Sequence, residues 1–320
     1  MGLRLCAWLC LVLPSFGIAS ETDQYFAWDK PLKDSTSELN ALVNQTISGV
    51  VRAVGEQNLS CHSLSSLIRA ALALEGWKLE FVSNYHSEID RVPFSESQKE
   101  EFDRESFYGS EVDFKNRVMP KGQTVLAAGV RFGFDKIQHF FSTGFRAYER
   151  YREVIERQGT EEEAVKAAVD YGISTEWRYL GMWSSGVFSF GDLEADYQGV
   201  RFYSSLCRGE KPRLTKSKAD NRWQYDGSFD FRDYVSPAWD ESYNPSVYNH
   251  RRWVFTKKII QKRCNLLRSN EIQSQRDRYR NWSTPPSASM VYIESLLKQG
   301  EKVPDPTLYS VEKVCEERIP

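Results

Sequence analysis

Beyond its first residues, the sequence lacks any hydrophobic run long enough to cross a bilayer, and it has almost no excess of charge of either sign. The apolar segment at residues 125–130 is far shorter than the roughly 20 residues that a transmembrane helix needs. A net charge of -2 argues against nucleic acid as the main partner, because nucleic-acid binding depends on a basic surface. We therefore expect a protein that is neither an integral membrane protein nor a nucleic-acid-binding protein.

Several catalytic signatures are missing as well. The chain has no Gly-x-Ser-x-Gly elbow for a nucleophilic serine and no His-Glu-x-x-His pair for a zinc protease. It has only four histidines, and it shows no internal repeats or low-complexity segments. A hydrophobic content of 41% and a charged content of 27% are typical of a globular protein with a substantial core.

The N-terminus has the pattern of a signal peptide. Arg4 supplies the positive charge, residues 5–13 form a short apolar run that Pro14 ends, and Ala19 closes a small-residue site. We predict a signal peptide over residues 1–19, with cleavage after Ala19 or Ser20. Cys10 is not preceded by the small residues that lipidation requires. The expected location is therefore periplasmic or secreted, and a buried N-terminal helix is the alternative.

Four cysteines remain after this segment: Cys61, Cys207, Cys264 and Cys315. An even number in an oxidising compartment predicts two disulfide bonds, with three pairings left open. Zinc binding is a weaker alternative, because no two of the four are spaced closely enough for a metal knuckle.

Helical periodicity predicts a mainly α fold, a helical bundle within a single exported domain over residues 20–320. Residues 134–207 are predicted to form a three-helix core, and residues 208–320 a wrapping and C-terminal helical extension. The charged residues 93–121 are predicted to be a solvated excursion or a poorly ordered loop. The other predicted helices are 37–54, 63–82, 254–267 and 290–297.

Three helix starts can be predicted within the core. Asp135 with Gln138, and Thr160 with Glu163, have the spacing of capping boxes, and Asp192 stands where it can cap a third helix. The second helix is expected to continue to Trp183, because its apolar stripe extends that far.

The second half of the chain has two unusual compositions. Residues 208–249 are irregular and rich in aromatic residues, which favours wrapping of the helical core over a groove for carbohydrate. Residues 251–280 are strongly basic, and this face is predicted to meet a cell-envelope polymer or a membrane surface. The alternative is a solvated helix that balances the acidic residues near position 100.

Polar side chains interrupt the apolar faces of the core helices. His139 lies one helical turn after Asp135 beside an aromatic stripe, where a hydrogen-bonded core histidine is the common outcome. Glu176 stands within the stripe of the second helix, and Asp196 lies between inward-facing residues of the third. A carboxylate buried in this way costs several kcal/mol unless it is protonated or paired. We therefore expect Glu176 and Asp196 to converge on His139.

The same residues resemble a known pattern. Asp135-Lys136-x-x-His139, then Glu176, then Asp192-x-x-x-Asp196-x-x-Gly199 resembles the YfiM-like periplasmic lipoprotein family, and is more distantly similar to the VanZ-like family. The resemblance covers residues 134–203 and implies a role in the bacterial cell envelope. It adds Asp135, Lys136 and Asp192 to the candidate catalytic residues, and the lipid-attachment motif of the family is missing.

Three functions are compatible with this pattern. The first is a binding or envelope-maintenance protein in which His139, Glu176 and Asp196 form a buried polar lock. The second is an envelope hydrolase, acting on peptidoglycan, another glycan or a lipid-linked polymer, with Glu176 as acid, Asp196 as base or electrostatic partner and His139 as orienting group. The third adds one divalent metal ion, held by His139, Glu176 and Asp196.

Overall fold

The computed structural model describes residues 21–82, 84–109 and 122–317, and is 59% helical with 7% strand. The mainly α-helical class predicted from the sequence is therefore confirmed. The helices are α1 Thr36–Val54, α2 Cys61–Phe81, α3 Glu96–Glu105, α4 Phe134–Gln138, α5 Gly144–Glu156, α6 Glu161–Trp177, α7 Phe190–Cys207, α8 His250–Leu267, α9 Asn270–Arg280, α10 Ala288–Gln299 and α11 Val311–Glu316.

The strands are short and antiparallel. One three-stranded sheet has the order β1-β2-β3, with β1 Arg91–Val92, β2 Thr124–Ala127 and β3 Val130–Gly133. Two hydrogen-bonded strand pairs complete the set: β4 Val187–Phe188 with β7 Val247–Tyr248, and β5 Leu214–Lys216 with β6 Trp223–Tyr225. The β4–β7 pair fixes the chain just before α7 and just before α8.

The first part of the site lies on one continuous helix, residues 134–156, which we call the rod. Helices α4 and α5 are joined without a break by a π-helical turn, His139–Thr143. The predicted capping box of Asp135 and Gln138 does not form, because the rod begins at Phe134, one residue before Asp135, with Gly133 as its N-cap. A side chain at Gly133 would collide with Asp135, so the chain needs glycine there.

Helices α6 and α7 pack against this rod. Gly144 and Gly199 bring α5 and α7 together, since a Cβ atom added to either glycine would lie 2.9 Å from the Cα atom of the other. The predicted capping box of Thr160 and Glu163 is present at the start of α6. Helix α6 ends at Trp177 rather than at Trp183, so that Glu176 lies in its last turn.

The aromatic segment between α7 and α8 wraps the helical core, as the sequence favoured. Phe140 lies at the centre of this packing, and its ring is 5.3 to 6.2 Å from those of Phe229, Phe231, Tyr234 and Trp239. All four of these side chains are buried. Burial of so many rings provides a large part of the apolar surface that stabilises the fold.

The prediction of a solvated excursion over residues 93–121 is wrong for its first part. Residues 96–105 form α3, which opens with a capping box of Ser95 and Gln98, and Phe102 and Phe107 are buried. The few aromatic residues between the charges were sufficient to hold this segment against the core. Residues 110–121 lie outside the described residues, as does the predicted signal peptide.

The described residues contain two disulfide bonds: Cys61–Cys207 joins the start of α2 to the end of α7, and Cys264–Cys315 joins α8 to α11. The four cysteines are therefore paired, and the zinc alternative is wrong. No helix in the described ranges is both long enough and apolar enough to cross a membrane.

Candidate functional site

Asp192 stands in the first turn of α7, although it does not cap the helix as predicted. The N-cap is Ser189, whose hydroxyl accepts a hydrogen bond from the Asp192 backbone N–H at 3.0 Å. The Asp192 side chain is thereby free to turn into the core. Its position near a helix N-terminus, where backbone N–H groups create positive potential, also favours the ionised carboxylate.

His139 lies between two carboxylates of α7. Its Nδ1 atom donates a hydrogen bond to Asp196 Oδ1 at 3.0 Å, and its Nε2 atom lies 3.4 Å from Asp192 Oδ2. All three side chains are buried. Burial by itself lowers the pKa of His139, but Asp192 and Asp196 outweigh burial and hold this pKa well above its usual value.

Glu176 approaches the same place from α6. Its Oε2 atom accepts a hydrogen bond from the Ser189 backbone N–H at 3.1 Å, whereas Oε1 has no hydrogen-bond partner among the described residues. Only 1% of the residue is exposed. Burial, and then the nearby charge of Asp192, raise the pKa of Glu176 well above its usual value.

Lys136 fills the neighbouring half of the site. Its Nζ atom lies 2.8 Å from Asp135 Oδ2, 2.7 Å from Asp192 Oδ1 and 2.8 Å from Glu241 Oε1, and the side chain has no exposed surface. The contact with Asp192 has the distance of an ion pair without the angle of a hydrogen bond. Despite burial, these carboxylates hold the pKa of Lys136 well above its usual value, so the side chain remains cationic.

The two halves meet at Asp192. One of its carboxylate oxygens faces Lys136, and the other faces His139. The pKa of Asp192 is lowered, because His139 and Lys136 together outweigh the effect of burial. Asp196 accepts its hydrogen bond from His139, and burial raises its pKa to about 6.

The structure brings all six predicted residues into one cluster, and it adds three that the sequence did not predict. Glu21, Glu80 and Glu241 are buried against the same groups, and burial raises the pKa of each. Glu241 could have been noticed as an acidic residue within the aromatic segment. Glu21 and Glu80 carry no comparable signal, because only the tertiary fold brings them close.

The ligand atoms of His139, Glu176 and Asp192 lie within 4.8 Å of one another, so these three residues can hold a metal ion. Asp196, predicted as a ligand, instead contacts the other nitrogen of the histidine ring. A second group of this kind comprises Glu21, Asp135, Asp192 and Glu241. Lys136 contacts three of its four carboxylates and already supplies a cation there.

Comparison with protein-family models, with characterised proteins and with solved structures finds no match to this chain. The resemblance to the YfiM-like and VanZ-like families therefore stays a prediction, and the function has to be argued from the site itself.

Proposed function

We propose that the protein is an exported cell-envelope protein whose buried centre binds one divalent metal ion through His139, Glu176 and Asp192. The observation that carries this proposal is the orientation of His139. One ring nitrogen is engaged by Asp196 while the other faces Asp192. Histidine ligands of metals characteristically donate their second N–H to a carboxylate in this way, which fixes the ring and increases its basicity.

The charge of the cluster supports the same assignment. In the described part of the chain, seven buried carboxyl groups lie around the cationic side chains of Lys136 and His139; the acidic residues are Glu21, Glu80, Asp135, Glu176, Asp192, Asp196 and Glu241. Buried carboxylates in such excess must be protonated or must share a cation. A divalent ion beside the unpartnered Glu176 Oε1 would neutralise the half of the cluster that Lys136 does not reach.

The donor set also limits the choice of metal. One imidazole nitrogen and two carboxylate oxygens suit zinc and the neighbouring first-row divalent ions, which accept nitrogen and oxygen ligands together. Calcium and magnesium prefer oxygen ligands alone. We therefore expect a transition metal in this centre.

The enclosure of the centre favours a binding or envelope-maintenance role. His139, Glu176, Asp192 and Asp196 come from the rod, α6 and α7, and all are buried. A bound ion would connect these elements in the manner of the buried polar lock expected from the sequence. Support for export comes from the two disulfide bonds, which persist in oxidising compartments. We propose an envelope partner for the basic face of residues 251–280.

A hydrolase remains the second candidate, and one observation favours it. Glu176 Oε1 has no hydrogen-bond partner among the described residues and is therefore available to a reacting oxygen or a proton. Glu176 would act as the acid, Asp196 as the electrostatic partner and His139 as the orienting group, with peptidoglycan, another glycan or a lipid-linked polymer as substrate. A bound ion would make the same residues a metal-assisted site.

Metal analysis of the mildly purified protein tests the first proposal. We expect about one equivalent of a transition metal per chain, or uptake of added Zn²⁺ or Mn²⁺ with a rise in Tm. Glu176→Gln and Asp192→Asn should abolish both effects. Glu194→Gln, at another buried carboxyl of α7, should retain them. A stable wild-type protein that neither contains nor takes up metal would exclude the metal centre.

Incubation with purified peptidoglycan sacculi separates the two roles. The binding role predicts no release of soluble fragments by any variant. Release by the wild type and by Glu194→Gln, but not by Glu176→Gln, would instead establish the hydrolase.

A further inference from the structure

The basic segment at residues 251–280 is less exposed than its sequence indicates. Arg252 donates hydrogen bonds to Ser185 O and Phe107 O, Arg263 lies near Asp29 and Glu105, and Arg276 pairs with Glu312 and Ser242 O. These three arginines are buried, and Lys257 is paired with Glu317. Three of the basic residues thus make buried contacts within the fold, and Lys257 already has an ion-pair partner on the surface.

The outward face of α8 is both basic and apolar. Its residues Arg251, Val254, Phe255, Lys258 and Lys262 are all exposed, and we call this set the α8 stripe. At 100° per residue these five positions occupy roughly 100° of the helix circumference. No residue of α8 is acidic. The stripe therefore combines three positive charges with two large apolar side chains, of which Val254 is 41% and Phe255 is 49% exposed.

Two further exposed apolar residues, Trp183 and Leu308, lie in loops that contact α8. Trp183 is 78% exposed, and its loop is held at the start of the helix by the hydrogen bonds of Arg252 to Ser185 O and of Asn249 N–H to Gly186 O. Leu308 is 61% exposed and precedes Tyr309, whose ring is 4.7 Å from that of Trp253 on α8. Exposed apolar side chains therefore occur in both loops that contact α8, in addition to those of the stripe.

We propose that the α8 stripe, assisted by Trp183 and Leu308 in the two loops that contact α8, docks the protein on the surface of an anionic lipid bilayer. Basic side chains beside exposed aromatic and aliphatic groups are the composition of interfacial helices, whose cations meet lipid headgroups while the apolar groups enter the acyl boundary. Tryptophan also favours this interface. This docking specifies the partner in the proposed function, and it rests on the proposed envelope location for access to such lipids.

A soluble anionic polymer is the competing occupant. Such a polymer would use Arg251, Lys258 and Lys262 but would gain little from Val254, Phe255 or Trp183, because a charged chain offers no apolar phase. The contribution of the apolar side chains therefore discriminates between the two partners.

Vesicle sedimentation of the full mature protein tests the docking. The wild type should bind vesicles rich in phosphatidylglycerol, dissociate from them at high salt, and not bind vesicles of pure phosphatidylcholine. Lys258→Glu/Lys262→Glu should weaken binding by at least about tenfold, since each reversal replaces attraction with repulsion. Lys211→Glu/Lys218→Glu makes the same charge change at exposed positions elsewhere and should bind nearly as the wild type does.

Val254→Ser/Phe255→Ser should also weaken binding by about tenfold while leaving its salt dependence in place. A soluble polymer would be the partner instead if the protein bound dextran sulfate but not vesicles. In that case Lys258→Glu/Lys262→Glu should abolish the binding, and Val254→Ser/Phe255→Ser should leave it unchanged. Equal binding to both vesicle types, or an equal loss in Lys211→Glu/Lys218→Glu, would overturn the proposal. All the substituted positions are exposed, and metal content in the same samples reports independently on the buried centre.

Discussion

His139 Nδ1 lies 3.0 Å from Asp196 Oδ1, whereas the other ring nitrogen, Nε2, faces Asp192. This pairing sets which nitrogen carries the proton when the histidine is neutral, and it leaves the Nε2 lone pair directed toward Asp192 and Glu176. In the proposed metal centre, Asp196 is thus a positioning residue rather than a ligand.

Asp196→Asn should therefore weaken metal binding without abolishing it. Loss of a carboxylate that orients a histidine ligand typically lowers metal affinity by about 10- to 100-fold. Competition with a chelator, read out by calorimetry or by metal content, measures this change. Glu194→Gln, two residues away in sequence, is the matched control and should change the affinity little. Complete loss of binding would instead make Asp196 a ligand.

Lys136→Met should destabilise the protein strongly. The substitution leaves Asp135, Asp192 and Glu241 without their shared cation, and removal of one partner from a buried ion pair costs about 3 to 5 kcal/mol. Denaturant unfolding monitored by circular dichroism measures the loss.

Lys302→Met provides the comparison, because Lys302 and its partner Asp170 are largely exposed and such a pair contributes about 0 to 1 kcal/mol. Added Zn²⁺ or Mn²⁺ should partly rescue Lys136→Met, since Glu21, Asp135, Asp192 and Glu241 can then hold an ion where Nζ stood. Equal destabilisation by the two lysine substitutions would contradict the role given to Lys136.

Gly199→Ala should destabilise the contact between α5 and α7. An added Cβ atom would collide with Phe140 O and would lie 2.9 Å from the Gly144 Cα atom. Overpacking of a close helix contact costs about 1 to 3 kcal/mol. In Gly49→Ala, on α1, the new methyl group has nothing within 4 Å. There, we expect stabilisation of about 0.5 to 1 kcal/mol. Thermal unfolding of both variants tests the contrast in sign.

Asp23→Asn should change the pH dependence of stability. Asp23 accepts a hydrogen bond from the Phe26 N–H, and burial, only partly offset by Arg263, raises its pKa to about 6. Because the folded pKa exceeds the unfolded one, the native state binds more protons between about pH 4 and pH 6. Asp23 therefore lowers the free energy of unfolding as the pH rises through this window.

The asparagine can keep the hydrogen bond from Phe26 and cannot ionise. The stability difference between Asp23→Asn and the wild type should thus grow by on the order of 1 to 3 kcal/mol from pH 4 to pH 7 in favour of the variant. Urea unfolding across this range measures it. Asp226→Asn, which removes one negative charge at an exposed position, is the control for the change in net charge. A constant difference for Asp23→Asn would contradict the raised pKa.

Local chemistry explains which parts of the fold could be predicted from the sequence. The spacing of apolar residues gave α1, α2 and the core helices to within a few residues, except that α6 is shorter than expected. Glu176 and Asp196 each lie within the apolar stripe of their helix. This position indicated that both carboxylates face the core, because the apolar face of a helix is the buried one. The capping box of Thr160 and Glu163 is likewise a purely local pattern, and it was predicted correctly.

The rest depended on tertiary contacts. Lys136 was selected only through the resemblance, because a lysine at the edge of a helical stripe is ordinarily solvated, and its burial requires carboxylates from α7 and from the aromatic segment. The basic residues 251–280 were expected to form one exposed face, but several of them are buried. Composition cannot distinguish Arg252, whose hydrogen bonds are internal, from Lys258, which is exposed.

The π-helical turn His139–Thr143 has a consequence for the whole rod. A π turn takes up about one residue more than an α turn, which shifts the angular phase of everything after it by roughly 100°. This offset lets a single uninterrupted helix direct Lys136 and His139 to the carboxylates while presenting Gly144 to Gly199. Shortening the segment by one residue would force the helix to satisfy one set of contacts and abandon the other. Chain length between His139 and Gly144 is thus as much a component of the centre as any side chain in it.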